Sequence, residues 1–178
     1  MPRLKSVDPA RAEGPAREML DAIQRKMGRV PAIFKGMAAS PAVLQFYLQS
    51  SEALSKSSLP ATIREQIALA VAQDSQCDYC LAAHTALGRM AGLSDDDMLA
   101  ARHGKAKDPK AAAAVVLARK VAQARGDVTD ADVAHARKAG LDDAGLAEVV
   151  AVTCFNLFTN YFNHLNGTEV DFPAAPKA

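Results

Sequence analysis

Apolar residues recur every three or four positions along most of the chain, and no stretch shows the strict alternation of a half-buried strand. Met19, Leu20, Ile23 and Met27 make the first such stripe. It starts near Pro15 and ends at Gly28, the residue type that most easily closes a helix in the left-handed conformation. Pro31 and Pro41 bracket a short segment, Ala32 to Ala39. Pro41 then opens a helix through Val43, Leu44, Phe46, Tyr47, Leu48 and Leu54, whose breadth of apolar positions predicts deep burial. Leu59-Pro60 starts another, with Ile63, Ile67, Ala70 and Val71 on one side and Glu65 among Ala61, Ala68, Leu69 and Ala72 on another.

After Asp74-Ser75, a helix carrying Cys77 in its first turn runs to Met90 or Ala91 and stops at Gly92. Ser94 with Asp97, and Thr129 with Asp132, have the spacing of reciprocal side-chain caps and open helices that end near Arg102 and Lys138. Ala111 to Ala124 forms a helix between them, and the longest predicted helix spans about Ala144 to Leu165. The similar runs after Ala91 and Ala139 are ordinary helix punctuation, not an internal repeat. The chain is therefore read as all-α, a single-domain helical bundle of about seven or eight helices over residues 15–173. A polar N-terminal arm, 1–14, is expected to lie over the surface or over a neighbouring subunit, and residues 174–178 form a tail.

Four of the nine Phe and Tyr residues (Phe155, Phe158, Tyr161, Phe162) crowd the last helix, which is apolar almost all the way round. Such a helix must be central or covered by another subunit, so a homo-oligomer is expected. The 178 residues suit one domain, and 49% apolar with 23% charged residues is a soluble globular composition. Twenty-one basic against twenty acidic residues leave a net charge of +1, which removes the electrostatic argument for nucleic acid or an anionic membrane as partner. The most apolar stretch, Leu146 to Phe158, is too short to span a bilayer and contains Glu148 and Asn156. The first residues lack the apolar core of a secretion signal, so a cytoplasmic protein is expected.

Three cysteines are too few for a disulfide scaffold, and in a reducing compartment a close pair points to catalysis or metal binding. Cys77, Cys80 and His84 stand at i, i+3 and i+7, which at about 100° per residue puts them within about 60° of each other on one helix face. Cys77, at the helix start, meets unpaired N–H groups and the positive end of the dipole, so it is expected to be an acidic, accessible thiol. Cys80 lies one turn below His84, whose imidazole can serve as base or proton relay. Glu65 is either an exposed charge with a partner or a deliberately buried carboxylate. A structural zinc site is the chemical rival, but it wants four ligands, and neither a second C-x-x-C nor an H-x-x-x-H occurs.

Glu65, eleven intervening residues, Cys77, two residues, Cys80, three residues and His84 together resemble the active-site motif of alkylhydroperoxidase D and its relatives in the carboxymuconolactone decarboxylase-like family. Val30-Pro31-Ala32-Ile33-Phe34, Ser40-Pro41, Leu59-Pro60 with Arg64-Glu65, and Thr159 to His164 followed by Asp171-Phe172-Pro173 look like its peroxidase-related branch. The resemblance implies an alkylhydroperoxidase D-like helical fold, assembly as a trimer or a hexamer, and reduction of hydroperoxides without a cofactor. Carried over to this chain, Cys80 attacks the peroxide, Cys77 closes the disulfide, and Glu65 with His84 relays the proton. Glu65 is then buried and functional. An external dithiol, lipoyl-protein or thioredoxin-like, restores the pair. Where the family often has histidine between the cysteines, this chain has Tyr79, which is read as pocket lining.

A dithiol of this kind is also competent for disulfide exchange, with Cys77 as the point of attack. A lyase of the carboxymuconolactone decarboxylase type is a further alternative on the same fold. Cys154 is read as a buried packing thiol, and His103 and His135 as solvated. His164, with Asn160 and Asn163, is suited to cap the last helix, while the resemblance suggests a subunit contact there.

Overall fold

Nine α-helices, and no strand, account for the regular structure among the described residues of the computed structural model, which are residues 1–176. The last two residues of the expected tail lie outside them. The helices are α1 (Gly14–Met27), α2 (Ala32–Met37), α3 (Pro41–Ser55), α4 (Ala61–Asp74), α5 (Asp78–Met90), α6 (Asp95–Arg102), α7 (Pro109–Ala124), α8 (Asp130–Lys138) and α9 (Asp143–Asn166). The segment bracketed by Pro31 and Pro41 is itself helical, which raises the count above seven or eight. A 3₁₀ turn at Pro9–Arg11 precedes α1.

The punctuation read from the sequence is the punctuation of the structure. Gly28 closes α1 at φ 73°, its N–H bonded to the Gln24 carbonyl. Ser94–Asp97 and Thr129–Asp132 are complete capping boxes, in which each side chain accepts from the other residue's backbone N–H.

The centre of the bundle is α4, packed against α5, α6, α7 and α9, with every residue from Gln66 to Ala72 buried. Of the two placements open to α9, the centre is therefore taken by another helix. The inward face of α9 is apolar in the first half, through Val149 and Val152, but polar in the second, through Asn156, Asn160, Asn163 and Asn166. Its outward face carries Val150, Tyr161 (62% exposed) and Leu165 (59%). The polarity of its second half is thus inverted relative to an ordinary surface helix. The deep burial expected of α3 is also absent. It packs mainly against α1, α2 and α9, at the edge of the bundle, so Leu44 alone is fully buried and Phe46 is half exposed.

The N-terminal arm is hydrogen-bonded along the surface of its own chain. The Arg3 N–H donates to the Asn166 carbonyl, the Leu4 N–H to Asn166 Oδ1, and the Val7 N–H to the Lys35 carbonyl.

A carboxylate from α9 clamps the turn that leads into α4. Glu148 accepts from the Ser58 N–H (2.8 Å), the Ser58 hydroxyl (2.7 Å) and the Leu59 N–H (3.1 Å). Partial burial pushes its carboxyl up, but these hydrogen bonds outweigh that and hold it below the ordinary 4.5. A folded value below the unfolded one means that the stabilisation is complete above the unfolded value and is lost as pH falls through the folded one. Glu148→Gln is expected to lower stability by about 1 kcal/mol at neutral pH. The gap between the two proteins should close in urea titrations repeated at acid pH, and a gap independent of pH would remove this account.

Candidate functional site

The turn between α4 and α5 sets the site. Gln76 takes the left-handed conformation, φ 53°, which non-glycine residues seldom adopt. That fold-back lets the Cys77 N–H reach the Ala72 carbonyl at 3.0 Å and makes Cys77 the N-cap of α5, one position outside the expected first turn. His164 of α9 crosses over the turn, its Nε2–H donating to the Ser75 carbonyl at 2.8 Å. The helix mouth is therefore roofed, and Cys77 is 2% exposed and Cys80 3%. The expected accessibility of Cys77 is corrected here, because proximity to a helix start says nothing about what another helix lays across it. His164 ties α9 to this turn and does not cap its own helix, whose C-terminal Gly167 N–H bonds to the Asn163 carbonyl.

The two sulfurs are 3.0 Å apart, and both thiols are free. Hydrogen bonding to Cys80 draws Cys77 down from 9.0 to about 7, against the effect of burial, with His164 and His84 adding to the fall. The hydrogen bond with Cys77, reinforced by burial and by the Cys77 charge, pushes Cys80 well above the ordinary thiol range. Both shifts have the same first cause, the hydrogen bond between the sulfurs at 3.0 Å. The resting charge favours Cys77, while access favours Cys80. A cavity of 70 Å³ is lined by Cys80 and His84 together with Ile33, Phe34, Leu87 and Phe172, and Cys77 is not in its wall.

His84 meets Glu65 as the spacing of their helices allows, Nδ1 to Oε2 at 2.8 Å. A carboxylate can only accept, so the shared hydrogen belongs to Nδ1 and the ring's Nε2 is left free for proton transfer. Both side chains are about one-fifth exposed, 19% for His84 and 20% for Glu65, so the carboxylate expected to be buried is partly so. The reason is a second cavity, of 160 Å³, lined by Glu65, Arg64, Ser51 and Ser55. Tyr47, His84 and Leu87 wall both cavities.

Three residues that the sequence reading passed over belong to this site. Tyr47 lies between the charged groups, and burial with the charges of Glu65 and Cys80 raises its hydroxyl to about 12, so it stays neutral at physiological pH. Asn163 Nδ2 donates to Cys80 Sγ at 3.2 Å, and Thr159, one turn earlier on α9, lines the same cavity. Thr159 and Asn163 fall in the run that resembles the peroxidase-related branch, and their polarity at four-residue spacing within an otherwise apolar helix was the further signal. Tyr79 is a wall residue, its ring edge-on to Phe172 at 5.7 Å and its oxygen accepting from the Ile33 N–H at 3.4 Å.

The remaining candidates lie elsewhere. Cys154 is exposed, which corrects its reading as a packing thiol. It falls on the outward face of α9, two residues beyond inward-facing Val152. His103 and His135 are exposed. Among the described residues, no group of three or more His, Cys, Asp or Glu side chains is arranged to hold a metal ion, and no helix is long and apolar enough to cross a membrane.

Residues 41–124, from α3 to the end of α7 and including Glu65, Cys77, Cys80 and His84, match the carboxymuconolactone decarboxylase family profile. No curated protein matches the sequence. Among solved structures, the chain is similar to an alkylhydroperoxidase AhpD core described as an uncharacterized peroxidase-related protein from Ralstonia eutropha. The two share 26% identity over 96% of this chain and 92% of that one, with a TM-score of 0.87. A second uncharacterized peroxidase-related protein, from a Silicibacter species, is 23% identical over 95% and 94% of the two chains with a TM-score of 0.80. The debrominase Bmp8 shares the fold at 13% identity over 95% and 92%, with a TM-score of 0.78. The central segment, residues 41–124, thus matches the carboxymuconolactone decarboxylase family, and the helical architecture of the whole chain is similar to that of the alkylhydroperoxidase AhpD core and the peroxidase-related structures.

Proposed function

We propose that the protein is a thiol-dependent peroxidase that reduces organic hydroperoxides through a Cys77/Cys80 dithiol–disulfide cycle. The observation that carries this reading is a pair of free sulfurs 3.0 Å apart, one of them in the wall of a largely apolar cavity that also contains a histidine oriented by a carboxylate. The pair's proton passes to Cys77, leaving Cys80 as the thiolate that faces the cavity. It attacks the hydroxyl-bearing oxygen of the peroxide, so that the S–O bond forms as the O–O bond breaks. The sulfur gives two electrons and the alkoxide leaves, taking a proton through His84, which Glu65 holds in position. The Cys77 thiol then condenses with Cys80–SOH, a disulfide forms and water departs.

Turnover requires an external dithiol, of lipoyl-protein or thioredoxin-like type, and no cofactor. Residues 15–173 act as the one catalytic domain, in a reducing, cytoplasmic setting. The apolar outward residues of α9 suit a homo-oligomer, trimer or hexamer. Exchange that starts by attack at Cys77 is less well served, because Cys77 is buried, so the reductant of the cycle is expected to enter at Cys80, which lines the cavity.

Stopped-flow mixing of the reduced protein with cumene hydroperoxide tests the proposal. Loss of two thiols per chain, those of Cys77 and Cys80, with formation of one equivalent of alcohol is expected. Unchanged thiols with full activity in a Cys77→Ala/Cys80→Ala protein would point to a lyase instead.

A further inference from the structure

The dithiol cycle leaves one contact of the site without a use. Asn163 is 4% exposed. Its Nδ2 donates to Cys80 Sγ at 3.2 Å, while its Oδ1 is buried without a hydrogen-bond partner, and the residue lines the same 70 Å³ cavity as Cys80. A buried amide oxygen without a donor is a standing cost to the folded state, and such groups are rare. Thr159 lies on the same side of α9 and its hydroxyl is a second donor beside the sulfur, but that hydroxyl donates to the Asn156 carbonyl at 2.9 Å, while the Asn163 amide bonds to Cys80 Sγ. An orphaned acceptor beside a reacting sulfur, in the wall of a cavity, fits a partner that arrives and leaves. A hydroperoxide is such a partner, since its O–H is a donor and the oxygen bearing it is the one a sulfur nucleophile takes.

We propose that Asn163 is a catalytic residue of this site, its Nδ2–H holding the Cys80 sulfur as a thiolate and its Oδ1 accepting the O–H of the incoming hydroperoxide. The inference deepens the peroxidase reading and rests on it. In the transfer, the oxygen seated by Oδ1 passes to sulfur with its hydrogen attached as the O–O bond breaks and the alkoxide is protonated through His84. The sulfenic acid that results presents the same O–H to Oδ1, so the amide keeps its bond from reactant to product. Thiolates are held by donors, and an amide N–H aimed at the charged form favours it.

The test starts from a parent carrying Cys77→Ser and Cys154→Ser, in which Cys80 is the one remaining thiol. Asn163→Leu, and separately the near-isosteric Asn163→Asp, are added. The ionisable groups around Cys80, namely His84 on α5, Tyr47 on α3, Glu65 behind His84 on α4, and His164 on α9, are the same throughout. The first readout is the pH dependence of Cys80 alkylation by iodoacetamide. The second is the rate with cumene hydroperoxide at a pH above every midpoint, where a change in ionisation no longer contributes.

Asn163→Leu is expected to raise the alkylation midpoint by about one pH unit. It should also slow the peroxide reaction of the fully ionised thiol by about tenfold or more. Asn163→Asp should raise the midpoint further through its charge while its carboxylate keeps an acceptor at the Oδ1 position, and Asn163→Ala carries both readouts should the leucine variant fail to fold. Midpoints that stay where the parent's is would overturn the thiolate contact. Peroxide rates within twofold of the parent at full ionisation would overturn the seating of the oxygen. A parent inert to peroxide whose midpoint still moves with Asn163 would sink the peroxidase reading and the seating role together, and would uphold the thiolate contact.

Discussion

Cys80→Ser is expected to abolish the reaction with organic hydroperoxide, by at least about a thousandfold, because a serine hydroxyl carries no nucleophilic anion at neutral pH. Cys77→Ser is expected to react once and stop, with the sulfenic acid trapped on Cys80 for want of a resolving thiol. The experiment is sharper here than for most dithiol sites because two physical pulls oppose each other. Hydrogen bonding leaves the resting negative charge on Cys77, drawn down to about 7, while the cavity opens on Cys80. A proton needs to cross only the 3.0 Å between the sulfurs to reconcile them, so access decides which sulfur reacts. Dimedone labelling of each variant after one equivalent of peroxide, read by peptide mass spectrometry, reports the outcome. Label on Cys77 in the Cys80→Ser protein would reverse the roles.

Glu65→Gln and His84→Ala are each expected to lower kcat/KM for hydroperoxide by about a hundredfold to a thousandfold, the range of a positioned proton donor or acceptor. The amide can no longer act as a pure acceptor toward Nδ1, so the ring loses the partner that keeps Nε2 available. Because the two side chains act as one device, the double variant should be scarcely worse than the worse single one. Melting temperatures should change little, since the pair is partly solvated and such ion pairs add little to stability. Singles that lose less than threefold would remove the pair from the reaction. Independent, multiplying losses would separate the two roles.

How much of this was legible in the sequence follows from the range of the interactions concerned. Helix starts and stops are written within four residues, so Gly28, the Ser94–Asp97 box and the Thr129–Asp132 box could be read directly and stand in the structure as read. The gathering of Cys77, Cys80 and His84 is likewise a matter of helical spacing on one element. That Glu65 reaches His84 required α4 and α5 to pack, and the chain carried no local sign of it; resemblance to a family supplied what spacing could not.

The misjudged positions all turn on which side of an element another element covers. The α3 stripe predicted deep burial and the all-round apolar α9 a place at the centre or against another subunit, yet α4, small-faced and rich in alanine, takes the centre because it alone is flanked by α5, α6, α7 and α9. With its inner half-face given to the sulfur pair, α9 turns Asn156, Asn160 and Asn163 inward and leaves Val150, Cys154 and Tyr161 outside. Cys154 was thereby misread as buried, and Asn163 was not seen as a neighbour of Cys80. The crossing of His164 over the Ser75 carbonyl, which roofs Cys77, is of the same kind. Local hydrogen bonding and helical periodicity, properties of a short stretch of chain, determined the elements and the dithiol motif. Burial, the choice of the sulfur that faces the cavity, and the amide that holds it depend on the packing of residues more than eighty positions apart, and only the tertiary structure decided them.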